Sequence, residues 1–161
     1  MTENKRNKPL TLSELKSYGM ALLTRREYGA HELLTKLQSK AEGDDAEQVL
    51  HWLQEQKLQS DQRYAEMLLR SKSARGQGPQ RIRQEMQQKR LNGDAINLAF
   101  ENYEGDWFEQ AVNTYRKKFS ATAITDPKER AKRQRFMLYR GYTSDQISHA
   151  LAHGHEECTN F

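Results

Sequence analysis

The chain has 161 residues, 35% of them hydrophobic and 30% charged, with a net charge of +4 and a mean hydropathy of −1.04. No apolar run is longer than that at 20–23, which is far short of the roughly 20 residues a membrane helix needs. A single cysteine, Cys158, excludes an internal disulfide. Residues 1–10 carry charge with no hydrophobic segment behind it, so no secretory signal is expected, and the chain reads as cytoplasmic.

Helix signals run the length of the chain. Thr11-Leu-Ser-Glu14 has the spacing of a capping box and opens a helix over 12–27. Further helices are expected over 30–40, 45–56 and 61–74, with Asp44 and Asp61 as N-caps and Asp44-Asp-Ala-Glu47 as a second capping box. In "SARGQGPQRIR" (73–83), Gly76 ends one helix and Gly78-Pro79 starts the next, over 79–90. Asn92 caps a helix over 93–103, another covers 106–119, and Asp126-Pro127 opens 127–140. Thr143-Ser-Asp-Gln146 is a third capping box, starting a helix over 144–152. No stretch alternates polar and apolar over β-branched or aromatic residues, so no strand is expected.

These helices recur in threes. The apolar pairs Val49/Leu53, Ile96/Phe100 and Ile147/Leu151 are each spaced i, i+4, at offsets of 47 and 51 residues. Tyr18, Leu22 and Leu23 stand 46 residues before Tyr64, Leu68 and Leu69. Repeats of this size are supersecondary units that bury their faces against their neighbours. The expected units are three-helix repeats over 11–58, 59–104 and 105–153, with flexible segments at 1–10 and 154–161.

Charge alternates along the chain. Residues 61–90 carry 8 basic and 3 acidic side chains, 91–115 carry 5 acidic and none basic, and 116–140 carry 9 basic and 2 acidic. Arg70, Lys72, Arg75, Arg81, Arg83, Lys89 and Arg90 cluster about one helix break. Lys117, Lys118, Arg130, Lys132, Arg133 and Arg135 occupy the second basic block. Cations grouped near helix breaks can grip phosphates or an acidic protein groove, and either reading fits. The interleaved aromatics Tyr64, Tyr103, Trp107, Tyr115, Phe119, Phe136, Tyr139 and Tyr142 have helical spacing and read as core between helices.

No catalytic constellation has recognisable local context. Glycines 76 and 78 follow no strand and precede no Lys-Ser/Thr, so a nucleotide loop is not expected. His149 and His153, i, i+4, with His155 and Cys158, have a spacing that could hold a transition metal. A terminal segment with no other zinc framework reads instead as a solvated tail.

Three stretches resemble the RecX family of bacterial recombinase regulators: "LLTRREYGAHELLTKL" (22–37), "LQSDQRYAEMLLRSKSARGQGPQRIRQEMQQKRL" (58–91) and "KRQRFMLYRGYTSDQISHAL" (132–151). The middle stretch is the most specific, with Asp61, Arg63, Tyr64, Ala65, Arg70, Gly76-x-Gly78-Pro79 and Arg81-Ile82. The resemblance implies an elongated, curved, all-α array of three tandem three-helix repeats. It implies a non-enzymatic regulator without cofactors that binds the RecA recombinase filament on single-stranded DNA. Such a regulator inhibits ATPase, strand-exchange and coprotease activities by blocking filament extension or promoting disassembly. Expected contacts are Arg70, Lys72, Arg75, Arg81, Arg83, Lys89 and Arg90, then Lys117, Lys118, Arg130, Lys132, Arg133 and Arg135. Arg25 and Arg26 hold a related place in the first repeat. Arg63 reads as local structure. A salt-sensitive DNA affinity of its own is expected, to single strands and to duplex as a second form. No sustained heptad points to a dimer, so a monomer is expected. Two departures stand out: Gly29 where many members carry serine, and Arg90 where a glycine is common. A sequence-independent DNA-binding protein built of helix-turn-helix-like repeats is the alternative.

Overall fold

The computed structural model describes residues 8–120 and 122–156, which hold nine α-helices and no strand. They are α1 (Leu12–Arg25), α2 (Ala30–Gln38), α3 (Asp45–Glu55), α4 (Asp61–Ala74), α5 (Pro79–Gln88), α6 (Gly93–Glu101), α7 (Trp107–Phe119), α8 (Pro127–Arg140) and α9 (Ser144–His153). The chain is thus all-α, with its helices in three successive triples. Cys158, with the rest of 157–161, and residues 1–7 of the expected N-terminal segment lie outside the described residues.

Most starts follow from local side-chain chemistry. Thr11 and Glu14 close one capping box, and Thr143 and Gln146 close another. Asn92 Oδ1 accepts from the amides of Asp94 and Ala95, Asp106 caps α7, and Asp126 caps α8 ahead of Pro127. Two expected caps are corrected. Asp44 makes no side-chain cap bond: Gly43, at φ 59°, leads into a turn in which Asp45 N–H reaches Glu42 O at 3.3 Å. Asp44 itself sits at φ −98°, ψ 12°, away from the extended geometry that aims a cap side chain at the first amides. Asp61 is the first residue of α4, and Ser60 is its cap, accepting from Arg63 N–H through Oγ at 3.2 Å.

The Asp61 carboxylate instead joins three other places. Oδ1 accepts from Ala30 N–H at 2.7 Å and Gln59 Nε2 at 3.0 Å, and Oδ2 from Asn92 N–H at 2.9 Å. The start of α2, where Gly29 offers no side chain, is therefore capped from a distant helix. Arg63 donates to Lys57 O and Leu58 O, just beyond α3, and pairs at 3.1 Å with Glu27 from the turn between α1 and α2.

The described residues form two compact units, one within Met1–Met67 and Met86–Ala99, the other within Leu68–Glu85 and Phe100–Phe161. In the first, Leu15, Leu33, Leu37, Val49 and Leu53 make the centre of a core between α1, α2 and α3. In the second, Tyr115, Met137, Tyr142, Ile147 and Leu151 do the same between α7, α8 and α9. The unit boundaries fall inside α4, α5 and α6.

Each unit contains the same kind of junction. In the second, Gly78 N–H donates to Arg140 O at 2.8 Å and Gln80 N–H to Gly141 O at 3.0 Å. The backbones lie so close that a Cβ on Gly78 would overlap Gly141, and one on Gly141 would overlap Arg81. In the first unit, a Cβ on Gly29 would come within 2.6 Å of Leu91 Cδ2, and Tyr64 lies beside it. The turn between first and second helices of one triple thus docks on the turn between second and third helices of the next.

The departure at Arg90 leaves the backbone shape intact. Arg90 adopts φ 55°, with Leu91 N–H on Met86 O at 3.2 Å. Gly141, at φ 99°, ends α8 the same way, with Tyr142 N–H on Met137 O at 3.3 Å. This is the left-handed helix end that usually selects glycine.

Candidate functional site

Three segments of the second unit bring cations to one groove of about 220 Å³. Arg75 and Gly76 come from the end of α4. Gln110, Asn113, Thr114, Lys117 and Lys118 lie along one side of α7, and Phe136 and Arg140, i, i+4, come from α8. None of the lining residues is acidic. Lys118 Nζ lies 5.5 Å and Arg140 Cζ 5.2 Å from the centre of the Phe136 ring, so the aromatic ring holds two cations in place. Lys117 and Lys118 also stand in the last turn of α7, where they complement the exposed carbonyls.

The floor is fixed by Tyr142, which is fully buried. Its hydroxyl lies 2.8 Å from Thr114 Oγ1 and 3.2 Å from Gly76 O. Burial pushes the Tyr142 phenol above its ordinary pKa, so it stays neutral and serves as a rigid prop. Such an arrangement can hold a phosphate or carboxylate by charge.

The structure sorts the other expected contacts. Arg70, Arg130, Lys132 and Arg135 are exposed. Lys72 is paired with Glu85 at 3.2 Å. Arg83 lies over the Phe100 ring at 4.4 Å, and Arg81 over Tyr139 at 5.1 Å while donating to Tyr139 O. In the first unit, Arg25 is exposed and Arg26 is held at 2.6 Å by Glu32 over the Tyr28 ring. The Glu32 bond keeps the Arg26 guanidinium above its ordinary pKa. Lys89 sits beside His31, Glu32 and Lys36, and the Arg90 side chain is exposed.

Arg133 leaves the set of candidate contacts. It is only 4% exposed and bonds Tyr115 Oη at 2.6 Å, Thr122 O at 2.8 Å and Glu129 at 3.0 Å. Burial works against its charge, but Tyr115 and Glu129 more than offset this and raise its pKa. The helical period explains the placement: Arg133 and Met137, i, i+4, share the core-facing side of α8.

Two features escaped the sequence reading. Arg140 was passed over, although its position corresponds to Lys89 one repeat earlier and it lies i+4 from Phe136. Tyr139, expected in the core, is 76% exposed, and Leu138 beside it 59%. At the C-terminal side, Arg116 ties down the end of α9 through Gly154 O and Glu156 O. His153 pairs with Glu156 at 2.9 Å, which lowers the Glu156 pKa. Among the described residues no three His, Cys, Asp or Glu side chains converge on a metal position. Among them, too, no helix is long and apolar enough to cross a membrane.

Residues 60–99 match the family model described as the second three-helix domain of RecX, and 104–151 match the third. A Vibrio parahaemolyticus protein named regulatory protein RecX is 42% identical over 154 residues, covering 95% of this chain and 98% of its own. Its namesake in Vibrio campbellii is 40% identical over 148 residues, covering 91% and 95%. The Acinetobacter baylyi protein of that name is 40% identical over 149 residues, covering 92% of each. The crystal structure of RecX from Lactobacillus salivarius has the same fold, with a TM-score of 0.75 at 20% identity over 88% of this chain and 94% of that one.

Proposed function

We propose that this chain, which belongs to the RecX family of regulatory proteins, binds the RecA filament on single-stranded DNA and restrains it. It acts in the cytoplasm by binding, without catalysis or cofactor. It lowers ATP hydrolysis, strand exchange and coprotease activity by blocking filament extension or favouring disassembly. The observation that carries this reading is the match of two successive three-helix segments to RecX domains, in a chain about 40% identical to relatives along nearly its whole length. The groove formed by Arg75, Lys117, Lys118 and Arg140 is the favoured anion contact, supported by exposed Arg70 and Arg130.

The test is RecA ATP hydrolysis on single-stranded DNA with this protein added far below one copy per recombinase. Inhibition there supports action on the filament. No inhibition at any ratio refutes the function. The groove favours one second reading, sequence-independent DNA binding, because its uniform positive charge needs no protein partner. Under that reading, inhibition begins only when the protein suffices to coat the DNA.

A further inference from the structure

α8 turns a distinct stripe to solvent. Lys128, Lys132, Arg135 and Tyr139 recur at i, i+4, i+7 and i+11, on the side opposite buried Arg133 and Met137, with Leu138 along one edge. The three cations are exposed, and Leu138 and Tyr139 are the two most exposed large apolar side chains among the described residues, at 59% and 76%. No position of the stripe is acidic. The nearby acid of α8, Glu129, is taken by Arg133 at 3.0 Å. Arg81, from α5, extends the positive edge, its guanidinium 5.1 Å from the centre of the Tyr139 ring and bonded to Tyr139 O.

Leu138 and Tyr139 face water side by side and are rimmed by cations, the pattern of apolar and charged groups that interaction sites present. Tyrosine and arginine are the side chains that most often anchor protein interfaces. The Tyr139 ring, braced on one side by Arg81, gives up little freedom on docking. A duplex phosphate backbone would use the cations but has nothing to offer Leu138, and single-strand bases, which could stack on Tyr139, are what the oligo-dT arm of the experiment tests. The phosphate-suited groove, by contrast, sets Thr114, Asn113 and Gln110 around its cations, and its one aromatic ring, Phe136, is half-buried beneath Lys118 and Arg140. The two surfaces therefore differ in chemistry.

We propose that this α8 stripe is the protein-docking face of the molecule, fitted to an acidic protein surface with an apolar recess that receives Leu138 and Tyr139. The assignment rests on the functional reading above, with the recombinase as the protein that supplies that surface. The groove remains an anion site separate from it.

The experiment uses the full chain labelled at its N-terminus. Its probes are RecA assembled on an oligo-dT strand with a slowly hydrolysed ATP analogue, and the same oligo-dT alone. The variants are Leu138→Ser with Tyr139→Ser, and Arg135→Glu. All three positions are exposed, so thermal melts should match the wild type. The expected result is filament affinity lowered about tenfold or more by either variant, as for loss of interface anchors. The double variant should keep its oligo-dT affinity. Filament binding as tight as wild type in both variants overturns the docking face while leaving the function standing. Oligo-dT affinity lost along with filament affinity in the double variant makes the stripe a nucleic-acid surface and also overturns the proposal. A wild-type chain that does not bind the filament refutes the function itself and takes the partner of this face with it.

Discussion

Arg90 and Gly141 end equivalent helices in the same left-handed turn, yet substitution should move stability in opposite directions at the two sites. Arg90 holds φ 55° with an exposed side chain. An L-residue in that conformation costs about 1–2 kcal/mol, which Arg90→Gly relieves. The extra freedom of glycine in the unfolded chain takes back roughly 0.5–1 kcal/mol. The net gain is about 0.5–1 kcal/mol, or roughly 0.3–0.5 M in urea midpoint for a slope near 2 kcal/mol/M. Gly141→Ala introduces a Cβ at φ 99° that overlaps Arg81, whose backbone is fixed by the close approach of the two turns. Its cost is about 3 kcal/mol or more, from strain and overpacking together. The chain's two tryptophans supply the assay, since Trp52 lies in the unit with Arg90 and Trp107 in the unit with Gly141. Fluorescence-monitored urea unfolding in Trp107→Phe and Trp52→Phe backgrounds reads each unit separately. An unchanged or lowered midpoint for Arg90→Gly would falsify the equivalence of the two turns, and a cost below about 1 kcal/mol for Gly141→Ala would remove the steric argument.

Asp61→Asn retains one acceptor oxygen where the carboxylate serves amides at Ala30 and Asn92, so Trp52-monitored stability should fall by about 2–4 kcal/mol; a neutral substitution would show those bonds to be dispensable. Arg133→Met should cost about 3 kcal/mol, stranding Glu129 and Tyr115, while oligo-dT affinity stays at the wild-type level; a specific loss of affinity would restore Arg133 as a contact. Because burial raises the Tyr142 pKa, its contribution to stability is complete below the unfolded phenol's value near 10 and is lost as pH climbs above it, by up to about 1.4 kcal/mol per pH unit. Tyr142→Phe should therefore give a flatter stability profile above about pH 10, and identical profiles would contradict the burial. Lys117→Gln with Lys118→Gln should reduce the salt dependence of single-strand binding by a slope of about 1.4 in log–log form; an unchanged slope would exclude the groove as a phosphate site.

What could be read along the chain was what is decided within a few residues. The capping boxes at Thr11 and Thr143 and the caps at Asn92 and Asp126 each depend on a side chain and amides two or three positions away, and the break at Gly76 on that glycine's own left-handed backbone. Asp44 and Asp61 have the same local spelling as those caps and serve otherwise. At Asp44 the preceding glycine bends the backbone away from cap geometry. At Asp61 the carboxylate finds amides 31 residues away in both directions, and no local pattern encodes that.

Charge was the least legible property because counting treats all cations alike, whereas a helix sorts them by phase. Within 127–140, Arg133 faces the core, Arg140 turns to the groove, and Lys128, Lys132 and Arg135 face water. The phase of α8 could have been set from Met137 and the alignment with the earlier repeat, which would have removed Arg133 and brought in Arg140. It would also have placed Tyr139 outside, since position 139 falls opposite Met137 on the helical wheel. A basic block is therefore several distinct surfaces wound on one helix. Only the helical phase, fixed by a neighbouring repeat, tells which cations reach a partner.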